Sequence, residues 1–186
     1  MEKNIAYVAL FAAVIAALGV LPKLSLGFGV PITAQSLGVM LAGAVLGSRL
    51  GALSVLLLLL VTALGLPLLA GGRGGLGVFV GPTAGFLAGW VAAAFMTGLI
   101  VEHWRNAPLA LVASVASVIG GIVVLYAFGI VGMAIALKKS LIEATGLVVA
   151  FIPGDIAKAI IAGLLTAALY RARPASILSR RSDGAV

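Results

Sequence analysis

Polar positions in this chain are spaced on the scale of a membrane rather than of a helical turn. Nearly uninterrupted apolar stretches run from Asn4 to Pro22, Leu24 to Ser48, Leu50 to Gly72, Gly74 to Val101 and Asn106 to Leu137. A last apolar helix is expected from Pro153 to Tyr170, carrying only Asp155 and Lys158 as charged residues. Because a helix crossing a hydrocarbon layer of about 30 Å needs about 20 apolar residues, each stretch has the length of one crossing. The pattern therefore predicts an all-α integral membrane protein with six transmembrane helices, with cores near residues 4–21, 31–47, 50–66, 82–100, 108–129 and 153–170. The connections are short, which implies one membrane domain over residues 1–172, followed by a basic tail over residues 173–186.

An even number of crossings puts both termini on one side. Cytoplasmic loops carry the excess of Lys and Arg. Cytoplasmic termini collect Lys3, Arg49, Arg105, Arg171, Arg173, Arg180 and Arg181 inside and leave Lys23, Arg73, Lys138 and Lys139 outside, so that orientation is expected. The N-terminal Met-Glu-Lys-Asn before an apolar run has the outline of a signal peptide, but no small-residue cleavage site follows, so the segment reads as a retained helix. Trp90 and Trp104 read as anchors at the membrane interface.

Composition narrows the function classes. Hydrophobic residues make up 63% of the chain before its 25 glycines are counted, charged residues only 9%, and mean hydropathy is +1.29. A soluble enzyme, a disordered tail and a disulfide scaffold are excluded. The net charge of +7 comes from basic residues scattered singly through apolar sequence, without the basic stripe or aromatic platform that nucleic acid requires. With no cysteine and only His103, the chain offers neither a thiolate or polyhistidine metal site nor a cysteine nucleophile. It contains no G-x-x-x-x-G-K-[ST] and so no P-loop.

The candidate chemistry lies at three helix starts that face outward in this topology: Pro31-Ile-Thr33-Ala-Gln35, Pro82-Thr83-Ala-Gly-Phe86 and Pro153-Gly-Asp155-Ile-Ala-Lys158. Proline suits a first helical position because its missing N–H would lack an intrahelical acceptor anyway. Three such starts would present unpaired N–H groups, positive dipole ends and polar side chains to one outward pocket. Asp155 and Lys158, spaced i, i+3, share a helix face. Asp155 can accept N–H bonds and Lys158 can donate to a carbonyl or carboxylate, which together match a cyclic urea or amide. The alternative is a structural ion pair near the interface, with Lys158 snorkelling outward.

Two further features each carry alternatives. Residues 72–77 formally match G-x-G-x-x-G, but no strand, βαβ unit or acidic partner accompanies them, and the dinucleotide reading is discarded. What remains around Gly75 is a backbone free to approach a ligand or to move, with Arg73 either meeting a ligand carboxylate or serving as a solvated loop cation. On the first helix, Ala9, Ala13 and Ala17 form a smooth i, i+4, i+8 stripe, suited equally to packing inside the bundle or to contact with a partner. Residues 130–152 have the outline of a short amphipathic cap on the outer face.

Taken together these motifs resemble the BioY family, the biotin-specific S components of energy-coupling factor (ECF) transporters. Pro31-Ile-Thr-Ala-Gln-Ser-Leu-Gly-Val39 resembles its second-helix signature, Gly71-Gly-Arg-Gly-Gly-Leu76 its glycine loop, Gly81-Pro-Thr-Ala-Gly-Phe-Leu87 its GPTGGY-type element and Phe151-Ile-Pro-Gly-Asp-Ile-Ala-Lys158 its last-helix signature. The resemblance implies an S-component bundle in the plasma membrane of a prokaryote that captures biotin outside. It also implies delivery inside with a transmembrane coupling protein and two ATPase subunits, which would use the ATP; no cofactor is expected in this chain. It implies that Asp155 and Lys158 hold the ureido ring, that Gln35, Thr83, Arg73 and Gly75 are further elements of the site, and that Ala9, Ala13 and Ala17 meet the coupling protein. Ala84-Gly85-Phe86 departs from the family pattern by lacking the tyrosine, which leaves Phe86 a packing role only. A stand-alone secondary transporter using Asp155 as a proton or ion relay is the alternative function.

Overall fold

The structure, a computed structural model, describes residues 2–22, 24–25 and 31–181; Lys23 and the end of the tail lie outside them. Helix α1 (Glu2–Leu18) leads through a two-residue antiparallel ladder, β1 (Leu24–Ser25) with β2 (Pro31–Ile32), into α2 (Gln35–Leu46). Gly47 turns the chain into α3 (Ser48–Ala63), and an irregular segment then leads to α4 (Ala84–His103). Helix α5 (Leu109–Leu137) includes a π turn at Ile119–Val124. Helix α6 (Leu141–Val148) is joined by a 3-10 turn, Val149–Phe151, to α7 (Ile152–Ala172). Among the described residues three stretches are long and apolar enough to cross a membrane: Ala84–His103, Leu109–Leu137 and Leu141–Ala172. Leu53, Leu60, Phe128, Val131, Ile135, Ile160 and Leu164 point outward, giving the bundle an apolar belt that water would not tolerate.

Helix starts differ from the sequence expectation in an instructive way. The second helix begins at Gln35, because Pro31 lies in the short ladder, where a two-residue strand tolerates its missing N–H. Pro82 precedes the N-cap Thr83 of α4, and only Pro153 lies in the first turn of its helix. The fifth helix continues to Leu137, where Lys138 adopts a left-handed conformation with φ 54° that ends it. The expected cap over residues 130–152 therefore shrinks to α6, which opens with a capping box between Ser140 and Glu143. Trp90 is 7% exposed and belongs to the core, not to the membrane interface as expected from sequence.

Close helix crossings rest on missing side chains. A Cβ on Gly85 would collide with the Phe128 carbonyl, and one on Gly132 would meet the Gly85 backbone, so α4 and α5 touch main chain to main chain. At one end of the bundle Ile177 of the tail packs with Tyr7, Phe11, Val45, Leu46, Leu50 and Leu178, which brings the first turns of α1, the α2–α3 corner and the tail together. Gly47 has no side chain to cap α3, and Glu102 from α4 does so instead: its carboxylate accepts from Ser48 N and Ser48 Oγ, both at 2.8 Å. The β ladder, the segment between α3 and α4, and the start of α7 lie towards the opposite end.

Gly132→Val is expected to destabilise the protein by roughly 1–3 kcal/mol, the range of an overpacked core position. Gly146→Ala, on an exposed helical position with open space around it, should be neutral or stabilising by up to about 1 kcal/mol. Thermal unfolding of the two variants in one detergent checks the contrast.

Candidate functional site

A recess opens among the first turns of α2, α4 and α7, so the three helix starts singled out in the sequence do converge. Its walls include Thr33, Gln35 and Ser36 from the start of α2, Thr83, Phe86, Leu87 and Trp90 from α4, Leu125 and Tyr126 from α5, and Phe151, Asp155 and Lys158 from the start of α7. Ile32, Leu69 and Arg73 close it from the β ladder and from the segment between α3 and α4. Apolar walls with a few convergent polar groups are the usual construction of a small-molecule site.

Asp155 is the anchor of the polar side. It is 5% exposed, in the first turn of α7, where the helix dipole favours a negative charge. Lys158 Nζ donates to its Oδ1 at 2.8 Å and Ser36 Oγ to the same oxygen at 3.2 Å; Tyr126 OH donates to Oδ2 at 2.6 Å. Lys158 also donates to Ser36 Oγ at 3.0 Å, so three helices, α2, α5 and α7, meet in one hydrogen-bonded cluster. Both carboxylate oxygens are occupied, while Lys158 retains a third N–H and a partly exposed position beside the recess. The pair is therefore a buried ion pair that also forms part of the recess wall, with Lys158 turned to Asp155 and Ser36 instead of snorkelling outward.

Ser36, Tyr126 and Trp90 also line the recess, although the motifs did not single them out. Tyr126 carried a usable signal: a phenol inside an apolar helix needs a partner for its hydroxyl. Phe86 packs edge-on against Tyr126 and Phe151, with ring centroids 6.4 and 6.1 Å apart. The phenol next to it comes from α5, and its hydroxyl is committed to Asp155. Nothing in the linear order of the chain connects those two positions.

Gln35 is placed at the recess, but its amide is used elsewhere. Nε2 donates to Ile15 O at 3.2 Å and Leu68 O at 3.1 Å, and Oε1 accepts from Ala70 N at 2.9 Å. The side chain is 1% exposed and ties α1, α2 and the segment after α3 together. That segment folds as a tight turn in which Leu69 and Arg73 exchange both backbone hydrogen bonds at 3.0 and 3.1 Å. Gly71 and Gly72 supply its φ angles of 80° and 70°, which other residues adopt only with strain. Arg73 then reaches over the recess, donating to Ala70 O at 3.3 Å and to Thr83 Oγ1 at 3.4 Å; burial lowers its pKa, although an arginine remains cationic. Gly75 lies off the recess walls and donates to Thr62 O at 2.8 Å. Ala9, Ala13 and Ala17 are exposed and do not line the recess, whereas Ala12 and Ala16 turn inward. No group of three His, Cys, Asp or Glu able to hold a metal occurs among the described residues.

An apolar belt, with a recess that holds one buried ion pair and one overhanging arginine, defines a helical membrane protein with a partly polar recess at one end. The profile of the BioY family matches residues 2–175. The chain is 55% identical to "Biotin transporter BioY" of Rhodobacter capsulatus, covering 97% of this chain and 100% of that protein. It is 53% identical to the protein of the same name from Rhizobium etli, covering 92% and 95% respectively. A solved structure, the S-component for biotin from an ECF-type ABC transporter, superposes with a TM-score of 0.86 at 30% identity, covering 91% of this chain and 92% of that one. The chain belongs to the BioY family.

Gln35→Leu is expected to leave the Ala70 N–H without its partner and to loosen the segment after α3, at a cost of about 1–3 kcal/mol. Hydrogen exchange should show faster exchange at Ala70, with little change in the middle of α4.

Proposed function

We propose that this chain is the biotin-capturing S component of an ECF-type importer in a prokaryotic plasma membrane, with no catalytic activity of its own. The reading rests on one observation above all: the Asp155–Lys158 pair forms a wall of an apolar recess in a chain that belongs to the BioY family. A cyclic urea offers two N–H donors and one carbonyl; the Asp155 carboxylate, with about four acceptor sites and three donors already on it, has room for one N–H, and the third N–H of Lys158 can meet the carbonyl. Phe86, Trp90, Leu125 and Phe151 give apolar surface for a fused ring and an aliphatic chain. Arg73 is positioned for the carboxylate at the far end of that chain, and Thr83 holds Arg73 over the recess. Gln35 serves the site indirectly, by fixing the turn that carries Arg73. Gly75 contributes flexibility at the end of that turn.

In this reading six segments cross the membrane: α1, α2 extended by the β ladder, α3, α4, α5 and α7. Both termini are cytoplasmic and the recess opens outside. The basic residues support that orientation, since Arg49, Arg105 and Arg171 to Arg181 gather at the end away from the recess. Release inside requires a transmembrane coupling protein and two ATPases, which supply the P-loops absent from this sequence. The exposed Ala9, Ala13 and Ala17 stripe on α1 is the surface offered to the coupling protein. The stand-alone carrier reading draws no comparable support. Asp155 is already tied to three donors, and no other carboxylate or histidine continues a relay from it along the interior of α7.

Equilibrium binding of labelled biotin to the purified protein should be tight and saturable, weakened by at least about tenfold in Asp155→Asn and Lys158→Ala, the loss of one charge-assisted contact. Breaking a buried pair can also impair folding, so Arg73→Ala provides the second reading: it should weaken biotin while sparing an analogue that lacks the carboxylate. A folded wild type that binds no biotin would overturn the assignment. Ala13→Trp should leave biotin binding within about twofold, since Ala13 does not touch the recess, while abolishing uptake in cells that express the partner subunits.

A further inference from the structure

The end of the bundle remote from the recess holds a second polar cluster that the transport reading does not use. Residues 174–181 fold back across this end, held by the fully buried Ile177 and by Ser179 Oγ, which donates at 2.6 Å to the Ala44 carbonyl near the end of α2. These neutral contacts carry Arg180 into a half-buried position in which its Nε and Nη2 are shielded from solvent and have no hydrogen-bond partner. Arg105, just beyond α4, reaches the same segment. Its Nε donates to Glu102 O at 2.9 Å and its Nη2 to Arg181 O at 3.3 Å.

Two guanidinium groups are thus brought near one another, and the charge of Arg105 adds to burial in lowering the Arg180 pKa. Among the described residues no counter-ion relieves them. Glu102 is next to Arg105, but both of its oxygens are taken by Ser48 at the start of α3. Among the described residues no other carboxylate pairs with either arginine. An unpaired buried donor is costly, and for a charged group the cost is greater still. Apolar packing of Ile177 maintains an arrangement that the charges alone would disperse.

We propose that Arg180 and Arg105 form a site for a phosphate group. A guanidinium presents paired N–H donors that match the oxygens of a phosphate, and two of them can bind a phosphodiester from two sides. The site is at the end of the bundle that carries most of the basic residues, so the phosphate can belong to the headgroup of an anionic lipid or to a free anion. The inference is independent of what the recess binds.

The full chain, purified in an uncharged detergent, would be titrated with phosphatidylglycerol, with phosphatidylcholine and with inorganic phosphate, and bound adducts counted by native mass spectrometry. One saturable phosphatidylglycerol per chain is expected, weakened about tenfold by Arg180→Gln or Arg105→Gln, the loss of one charge-assisted fork. Arg171→Gln, which removes an equal charge from an exposed position on the same end, should leave affinity within about twofold if the site is local. Should Arg180→Gln fold poorly, as a melting curve would show, Arg105→Gln gives the same test without altering the tail's sequence. Displacement of the lipid by millimolar inorganic phosphate would assign the site to a free anion; persistence of the lipid would assign it to the headgroup. Equal losses in Arg171→Gln and Arg180→Gln would overturn the proposal in favour of diffuse attraction, as would unchanged binding in both arginine variants of the site.

Discussion

The ion pair between Asp155 and Lys158 is the constraint around which the upper half of this bundle is arranged. A charged pair among apolar helices is tolerable only when its remaining hydrogen-bonding capacity is met. Ser36 and Tyr126 meet it, one from α2 and one from α5. Their positions require α2 to begin level with the start of α7 and require α5 to present a phenol at that depth. The π turn at Ile119–Val124, one turn before Tyr126, shifts the phase of α5 ahead of that contact. The recess is what remains when three helices are drawn to one carboxylate while the aromatic side chains of Phe86, Trp90 and Phe151 hold them apart.

A second constraint acts through Gln35. Its amide makes three bonds to main chain in α1 and in the segment after α3, so the turn carrying Arg73 cannot shift freely relative to α1. The exposed alanine stripe lies on that same helix, beside the buried Ala12 and Ile15. A force on the outer face of α1 therefore has a short path to the rim of the recess: α1 main chain, the Gln35 amide, the Leu69–Arg73 turn. This is a path of rigid contacts only. Coupling in the thermodynamic sense would further require two arrangements of those contacts that a ligand and a partner stabilise differently.

Much of this was legible in the sequence because membrane insertion writes its demands in long apolar runs and in sparse, conspicuous charges. The helices at Ser48–Ala63 and Ala84–His103 follow directly from those runs, and Asp155 and Lys158 stood out as charges inside one of them. Helix starts were less legible. Pro31 carries the same local signal as Pro153, yet it pairs with a strand, since proline marks a break in hydrogen bonding without saying what precedes or follows it. The placement of Tyr126, Ser36 and Trp90 is not legible in the sequence because it depends on contacts between residues far apart in the chain: 119 positions separate Ser36 from Asp155. Trp90 could be read as an interface anchor from residue type alone, and only the packing of α4 against α5 places it inside.

The residues without side chains make the same point from the other direction. Gly85, Gly132, Ala9 and Ala13 all read as small positions suited to close approach, and the sequence does not say which surfaces will meet. In the fold, Gly85 and Gly132 are consumed by the crossing of α4 and α5, while Ala9, Ala13 and Ala17 are left facing outward. The distinction is made by packing. On α1, Ala12 and Ile15 are taken into the core, and positions 9, 13 and 17 are left exposed along the edge of that inward face. A small-residue stripe that internal packing has not used remains able to bring another helix backbone close, and α1 is the element on which this bundle keeps one.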